Sequence, residues 1–266
     1  MQAYRGMDIG TAKPPAELTR RLPHHLIDIL DPDEQYTAGD FVREADKACE
    51  RIRSAGRLPV VSGGTGFYIR NFLCGPASAP RSDPAVRELV TKELETKGAA
   101  ALRAELLSAD PDLCARISEK DVYRLTRAIE ILRTSGNPPS TYAPSTVPRD
   151  RFRFLVLGID VPRETLWARI DERVEEMFSA GLPSEVEALK ASGYGAGDPG
   201  FAAIGYREFL AQEGADLEAI KQEVKLNTRH YAKRQMTFLK ALPGIRWIEP
   251  DASLLASLLA EFLSEA

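Results

Sequence analysis

The sequence predicts an α/β fold, with a mostly parallel sheet flanked by helices and interrupted by a helical insertion. Three observations predict it. Four short apolar runs read as strands, nearly everything between them has helical periodicity, and residues 79–149 contain helices but no strand. The chain has 266 residues, 44% of them hydrophobic and 28% charged, as expected for a globular protein. That composition excludes a disordered chain, a collagen-like repeat and a small disulfide scaffold. The net charge of −4 means that any contact with nucleic acid must come from a local basic patch.

The opening, Tyr4 to Pro14, holds two glycines and both charge signs and reads as a structured loop. The first strand is His25 to Leu30 (HLIDIL). The His24-His25 pair reads as structural, because no acidic or Cys partner lies at metal-ligand spacing. Leu58 to Ser62 (LPVVS) is the second strand. Asp83 followed by Pro84 reads as an N-cap with Pro at the first helical position. Val86, Leu89, Val90 and Leu94 then form one apolar face, and Gly98 stops the helix. Asp121 starts another helix, with Val122, Leu125, Ile129 and Leu132 as its buried stripe and Gly136 at its end. A loop rich in Pro, Ser and Thr runs from Asn137 to Pro148, which leads to Phe152 to Val161 as the third strand.

A helix from near Glu164 turns Leu166, Ile170, Val174 and Met177 to the core, with Arg169 and Arg173 four residues apart on another face. A second helix, from Asp216 to about Leu242, carries Lys225, Arg229 and Lys233 as a basic stripe. Ile245 to Glu249 is the last strand. The core is thus residues 1–78 and 150–266, and the insertion is 79–149.

The chain has no run of 18 apolar residues, so no transmembrane helix is expected, and its first residues lack the apolar stretch of a secretory signal. Cys49, Cys74 and Cys114 are spaced for neither a zinc site nor a disulfide framework. The expected compartment is the cytoplasm.

The sharpest chemical signal is Val60-Val61-Ser62-Gly63-Gly64-Thr65-Gly66-Phe67-Tyr68, a strand running through a glycine-rich turn into a helix. Such turns bring backbone N–H groups to an anion. An ordinary tight turn would look the same, and this is not a Walker A motif, because the required Lys is absent. Arg169 and Arg173 could clamp a phosphate, although the adjacent Asp171 and Glu172 equally suit a solvated helix face. Tyr123 to Arg127 and the 225–240 helix carry the local positive charge suited to an RNA backbone.

Seven motifs occur in order: MQAYRGMDIGTAKP, PHHLIDILDP, LPVVSGGTGFYIR, DVYRLTRAIEILRTSG, RIDERVEEMFSAGL, AIGYREF and TRHYAKRQMTFLK. Together they span nearly the whole chain and closely resemble the bacterial tRNA dimethylallyltransferase family. The resemblance implies transfer of a dimethylallyl group from dimethylallyl diphosphate to N6 of an adenosine. That adenosine lies just 3′ of the anticodon, in tRNAs that read U-starting codons. It also implies a P-loop-type α/β core, Mg²⁺, a monomer, and a tRNA anticodon stem-loop as partner.

The same resemblance assigns residues. Gln2 contacts the flipped adenine. Thr65 lies at the reacting centre, and Arg173 binds diphosphate. Arg87, the segment Tyr123, Arg124, Leu125, Thr126 and Arg127, and the segment Ala202, Ala203, Ile204, Gly205, Tyr206 and Arg207 meet the tRNA. Ala202 stands where some relatives have Arg, and Ala3 replaces the commoner Val. The family opens with a strand, a GPTxxGKT P-loop, a helix and a strand ending Asp-Ser-Met-Gln, whereas this sequence starts at Met1-Gln2. The general base Asp, the P-loop Lys and the P-loop Thr, which is the family's metal ligand, find no counterpart. The first strands are therefore expected to be missing, and this chain alone to be poorly stable and inactive. Two alternatives follow: a tRNA-binding remnant without catalysis, and an adenylate isopentenyltransferase, against which the helical insertion and the TRxxAKRQ segment speak.

Overall fold

A computed structural model describes residues 1–212 and 214–265. The chain divides into two compact units, Met1–Leu73 with Arg149–Ala266, and Cys74–Pro148. The elements in order are α1 (Ala16–Arg21), α2 (Ala38–Ser54), α3 (Gly66–Cys74), α4 (Pro84–Ala109), α5 (Pro111–Arg116), α6 (Val122–Ser135), β1 (Leu157–Ile159), α7 (Arg163–Ser179), α8 (Leu182–Ala191), α9 (Arg207–Ala211), α10 (Leu217–Leu239), β2 (Arg246–Ile248) and α11 (Ala252–Ser264). The fold is α/β and helix-rich, with a small parallel sheet. Among the described residues no helix is long and apolar enough to cross a membrane.

Local chemistry explains the helix ends. At α2, the Thr37 hydroxyl accepts from Asp40 N, and the Asp40 carboxylate accepts from Thr37 N, so two otherwise orphaned donors are satisfied. In the 74–148 unit, Asp83 accepts from Ala85 N at 2.9 Å ahead of Pro84, and Asp121 accepts from Arg124 N at 3.0 Å. α4 breaks at Gly98, whose φ of 76° is non-helical, and Gly136 closes α6 in the left-handed region. Val90, Leu102, Leu106, Leu125 and Ile129 form this unit's core.

In the larger unit, one core gathers Tyr4 and Met7 from the opening loop, Val174 from α7, Leu182 and Val186 from α8, Phe201 and Tyr206, and Ile220 and Val224 from α10. A second gathers Val42, Ala45 and Cys49 from α2 with Phe72 from α3. Phe152 stacks on Phe72 and Phe154 meets it edge to face.

The sheet is smaller than the sequence predicts. β1 and β2 pair in parallel, Leu157 with Arg246, Gly158 with Trp247 and Ile159 with Ile248. Only three residues of each predicted run, 152–161 and 245–249, are strand. The predicted strand 25–30 reduces to one bridge, Tyr4 with Leu30, because Leu26 and Asp28 take positive φ and turn the chain. The predicted strand 58–62 pairs with nothing among the described residues. Pro59 has no donor to give, and Val60 is 78% exposed.

Candidate active site

The glycine-rich turn and the start of α3 lie against α10, which joins the GGTGFY and TRHYAKRQMTF motifs. The Thr65 hydroxyl sits 3.4 Å from the hydroxyl of Tyr231. A Cβ on Gly64 would fall 2.1 Å from Nε2 of Gln235, and one on Gly66 would fall 2.4 Å from Cδ1 of Phe238. Gly66 is therefore needed for helix approach, because a ring cannot fold away, whereas at Gly64 the flexible end of Gln235 can yield. Gly63, in the same turn, has open space around it. From α3, Tyr68 donates to the Tyr36 carbonyl at 2.8 Å and stacks on Phe41. Burial pushes its phenol up to about 12, so it stays a donor at any ordinary pH.

Two of the three cations in the α10 stripe, Lys225 and Arg229, are neutralised. Lys225 and Lys221 pair with Glu175 of α7, and Arg229 pairs with Asp171. The Lys225 and Lys221 ammonium groups, through their hydrogen bonds, hold Glu175 below the usual carboxylate range. The reading of Asp171 as part of a solvated face is corrected here, since it turns toward α10. His230, Lys233, Arg234, Thr237 and Phe238 line a shallow cavity of 430 Å³. Arg173 stands exposed on α7 and forms no ion pair among the described residues; the structure records no contact between it and Thr65.

Gln2 lies in the opening loop, where its Nε2 donates to the carbonyls of Thr11 and Ala12 at 3.1 and 2.9 Å. The 202–207 segment divides by burial. Ala202 is exposed and Arg207 partly so, whereas Ala203, Gly205 and Tyr206 are buried and Ile204 packs against the core. Tyr206 donates to Glu185 at 2.6 Å; burial and that carboxylate push its phenol far above its ordinary value. Arg207 pairs with the buried Glu208, which also accepts from Asn227 of α10.

In the helical unit, Tyr123 and Arg124 project into solvent, with Tyr123 74% exposed. Leu125 is buried in the core, so its side chain offers no RNA contact. Arg127 pairs with the buried Glu130 at 3.0 Å and donates to the Pro80 carbonyl, Thr126 bonds the Tyr123 carbonyl, and Arg87 approaches Glu130 at 3.7 Å. Arg87 and Arg127 are thus partly engaged inside their own unit, and Arg124, though largely exposed, pairs with Asp121 at 3.3 Å, which leaves Tyr123 as the most open of these side chains.

Among the described residues no three His, Cys, Asp or Glu side chains converge into a metal-binding group. Sequence reasoning missed Glu185 and the pairing of Thr65 with Tyr231. Glu185 is one acidic residue among many on a helix, and only its contacts single it out.

An α/β core with an open basic helix end, and a separate helical unit presenting Tyr and Arg, define a polyanion-binding protein. Comparison with known proteins narrows this class. The model of the IPP transferase family matches residues 2–242, and the chain belongs to that family. It is 42% identical over 256 residues to the tRNA dimethylallyltransferase of Geobacter sulfurreducens, covering 95% of this chain and 82% of that one. It is also 42% identical over 254 residues to tRNA dimethylallyltransferase 1 of Trichlorobacter lovleyi, with 93% and 82% covered. Among solved structures, the full-length tRNA isopentenylpyrophosphate transferase of Bacillus halodurans matches at a TM-score of 0.68 and 32% identity, over 99% of this chain and 84% of that one. A eukaryotic dimethylallyltransferase acting on tRNA matches at 0.86 and 26% identity, over 100% and 71%.

Proposed function

We propose that this protein transfers a dimethylallyl group to N6 of the adenosine 3′ of the anticodon in tRNAs that read U-starting codons. The observation that carries this is the convergence of the two motifs at Thr65 and Tyr231, in a chain of this family. The same reading takes dimethylallyl diphosphate as donor, a P-loop-type core, and a monomeric cytoplasmic enzyme.

The chemistry demands three things. The adenine amine is a weak nucleophile, so it must leave the base stack and be held in line with the allylic carbon, which costs a few kcal/mol of unstacking. In this reading Gln2 holds the base, and Thr65 orients the reacting groups. The departing diphosphate gains charge as the bond breaks, and a guanidinium there stabilises the transition state by about 3 kcal/mol. Arg173 takes that part. Tyr123, Arg124, Ala202 and Arg207 meet the tRNA, with Lys233 and Arg234 adding backbone contacts.

One observation favours a second reading, tRNA binding without transfer. Thr65 has a phenol and no carboxylate within hydrogen-bond reach among the described residues, so no general base stands beside it. The purified protein, dimethylallyl diphosphate and an anticodon stem-loop carrying adenosine or guanosine 3′ of the anticodon separate the two. A gain of one dimethylallyl group on the adenosine RNA alone supports the transferase. Adenosine-dependent binding without that gain supports the second reading, and transfer to free AMP instead of RNA refutes both.

A further inference from the structure

Glu185, in the first turn of α8, is used like no other carboxylate among the described residues. Its Oε2 accepts from the backbone N–H of Asp8 at 3.0 Å and of Ile9 at 2.8 Å. Its Oε1 accepts from Gly10 N at 3.2 Å and from the Tyr206 hydroxyl at 2.6 Å. Three consecutive N–H groups form the kind of concave nest that ordinarily holds an anion, and here the protein supplies the anion itself. Gly10 is required at this spot, because a Cβ there would lie 2.5 Å from the Tyr206 ring.

The loop so captured carries the acceptors for Gln2. The Thr11 and Ala12 carbonyls both accept from the Gln2 side chain, and only the amide nitrogen can face two carbonyls, so the orientation of the carboxamide follows. Both amide protons are thereby used, and Oε1 is left as a pure acceptor. An acceptor at that position selects a base with an exocyclic amine. Lys13 closes the loop from its other side. Its largely buried ammonium donates to the Tyr4 carbonyl and Asp8 at 2.6 Å each, and also to Asp28.

We infer that Glu185 is a positioning residue for the acceptor base: by collecting the N–H groups of 8–10 and tying them to Tyr206, it fixes the carbonyls that aim the Gln2 carboxamide. The inference rests on the assignment of Gln2 to the acceptor base under the proposed function. A negative charge is needed, because four donors converge on two oxygens. A Gln at 185 keeps the shape but turns its own N–H₂ toward donors.

The test is a double-mutant cycle on RNA binding by the full chain. Wild type, Gln2→Ala, Glu185→Gln and the double variant are titrated with a stem-loop bearing adenosine, or purine riboside without the amine, 3′ of the anticodon. The expected result is an adenosine preference in wild type that falls about fivefold in Glu185→Gln, falls similarly in Gln2→Ala, and falls no further in the double variant. Additive losses, or a Glu185→Gln protein that keeps the preference, overturn the inference and leave Glu185 as structural support. If Glu185→Gln does not fold, Tyr206→Phe removes one donor from the same carboxylate and is expected to shift the preference the same way, by less; an unchanged preference in that variant counts against the inference. A wild type with no adenosine preference overturns the assignment of Gln2, and this inference with it.

Discussion

Substituting Gly66 by Ala tests whether the glycines of the turn serve helix approach or anion binding. The new Cβ would stand 2.4 Å from Cδ1, 3.0 Å from Cγ and 3.1 Å from Cε1 of Phe238. Apolar carbons rest at about 3.5 Å or more, so one contact is short by roughly 1.1 Å and two by about half an ångström. An aromatic ring cannot fold away as a flexible chain can, so Phe238 must shift or α3 must move from α10. Such overpacking costs about 1–3 kcal/mol, and the better helix propensity of Ala returns less than 1 kcal/mol at the first helical residue. The net expectation is a loss of about 1–2 kcal/mol, read as a lower urea midpoint at unchanged m-value. Gly63→Ala, with open space around it, is expected to be neutral or to gain up to about 1 kcal/mol. Phe238→Leu in the Gly66→Ala background is expected to recover part of the loss. Equal stability losses at Gly63 and Gly66, or no rescue by Phe238→Leu, would refute the helix-approach argument.

Two further outcomes follow from the ion pairs and caps. The Asp110 carboxylate caps Leu113 N at 3.2 Å and accepts from Ser140 N at 2.7 Å. Burial pushes its carboxyl up, but these hydrogen bonds outweigh burial and hold it below the usual range. Its folded value lies below its unfolded value, so its stabilisation is complete above about pH 4 and is lost as pH falls through the folded value. Urea midpoints measured from acid to neutral pH should fall less steeply below that point in Asp110→Asn than in wild type, and that variant should be less stable at pH 7. On α10, Lys233→Ala should weaken stem-loop binding and reduce the slope of log affinity against log salt by about 0.7–0.9, whereas Lys225→Ala, whose ammonium is engaged by Glu175, should change the slope less.

What was legible in the sequence was what local chemistry decides. Asp83-Pro84, Gly98, Asp121 and Gly136 punctuate the helical unit, and the structure places caps, a break and a left-handed end at those residues. Strands were less legible, because a strand exists only with a partner remote in sequence. Leu58 to Ser62 has the right composition, yet its backbone pairs with nothing among the described residues. His25 to Leu30 alternates plausibly, but no pattern of apolarity announces the positive φ of Leu26 and Asp28. The motifs identified which residues matter and in what order. They did not disclose that Gly64 and Gly66 answer to Gln235 and Phe238, or that Glu185 answers to residues 8–10, because those contacts join segments more than 150 residues apart.

The division of labour along α10 follows from helix geometry. Residues four apart are rotated by about 40° around the axis, so a stripe at 225, 229 and 233 turns by about 80° from end to end. Its early members therefore stay on the face toward α7, where Glu175 and Asp171 neutralise Lys225 and Arg229. Lys233 has rotated off that face and stands open with Arg234 and His230. Tyr231, Gln235 and Phe238, at spacings of four and three, form one row and meet the glycine-rich turn and the start of α3. One helix thus serves two contacts at once. Its first half is held by charge against α7, and its second half meets the glycine-rich turn with one row while Lys233 and Arg234 stand uncompensated on other faces.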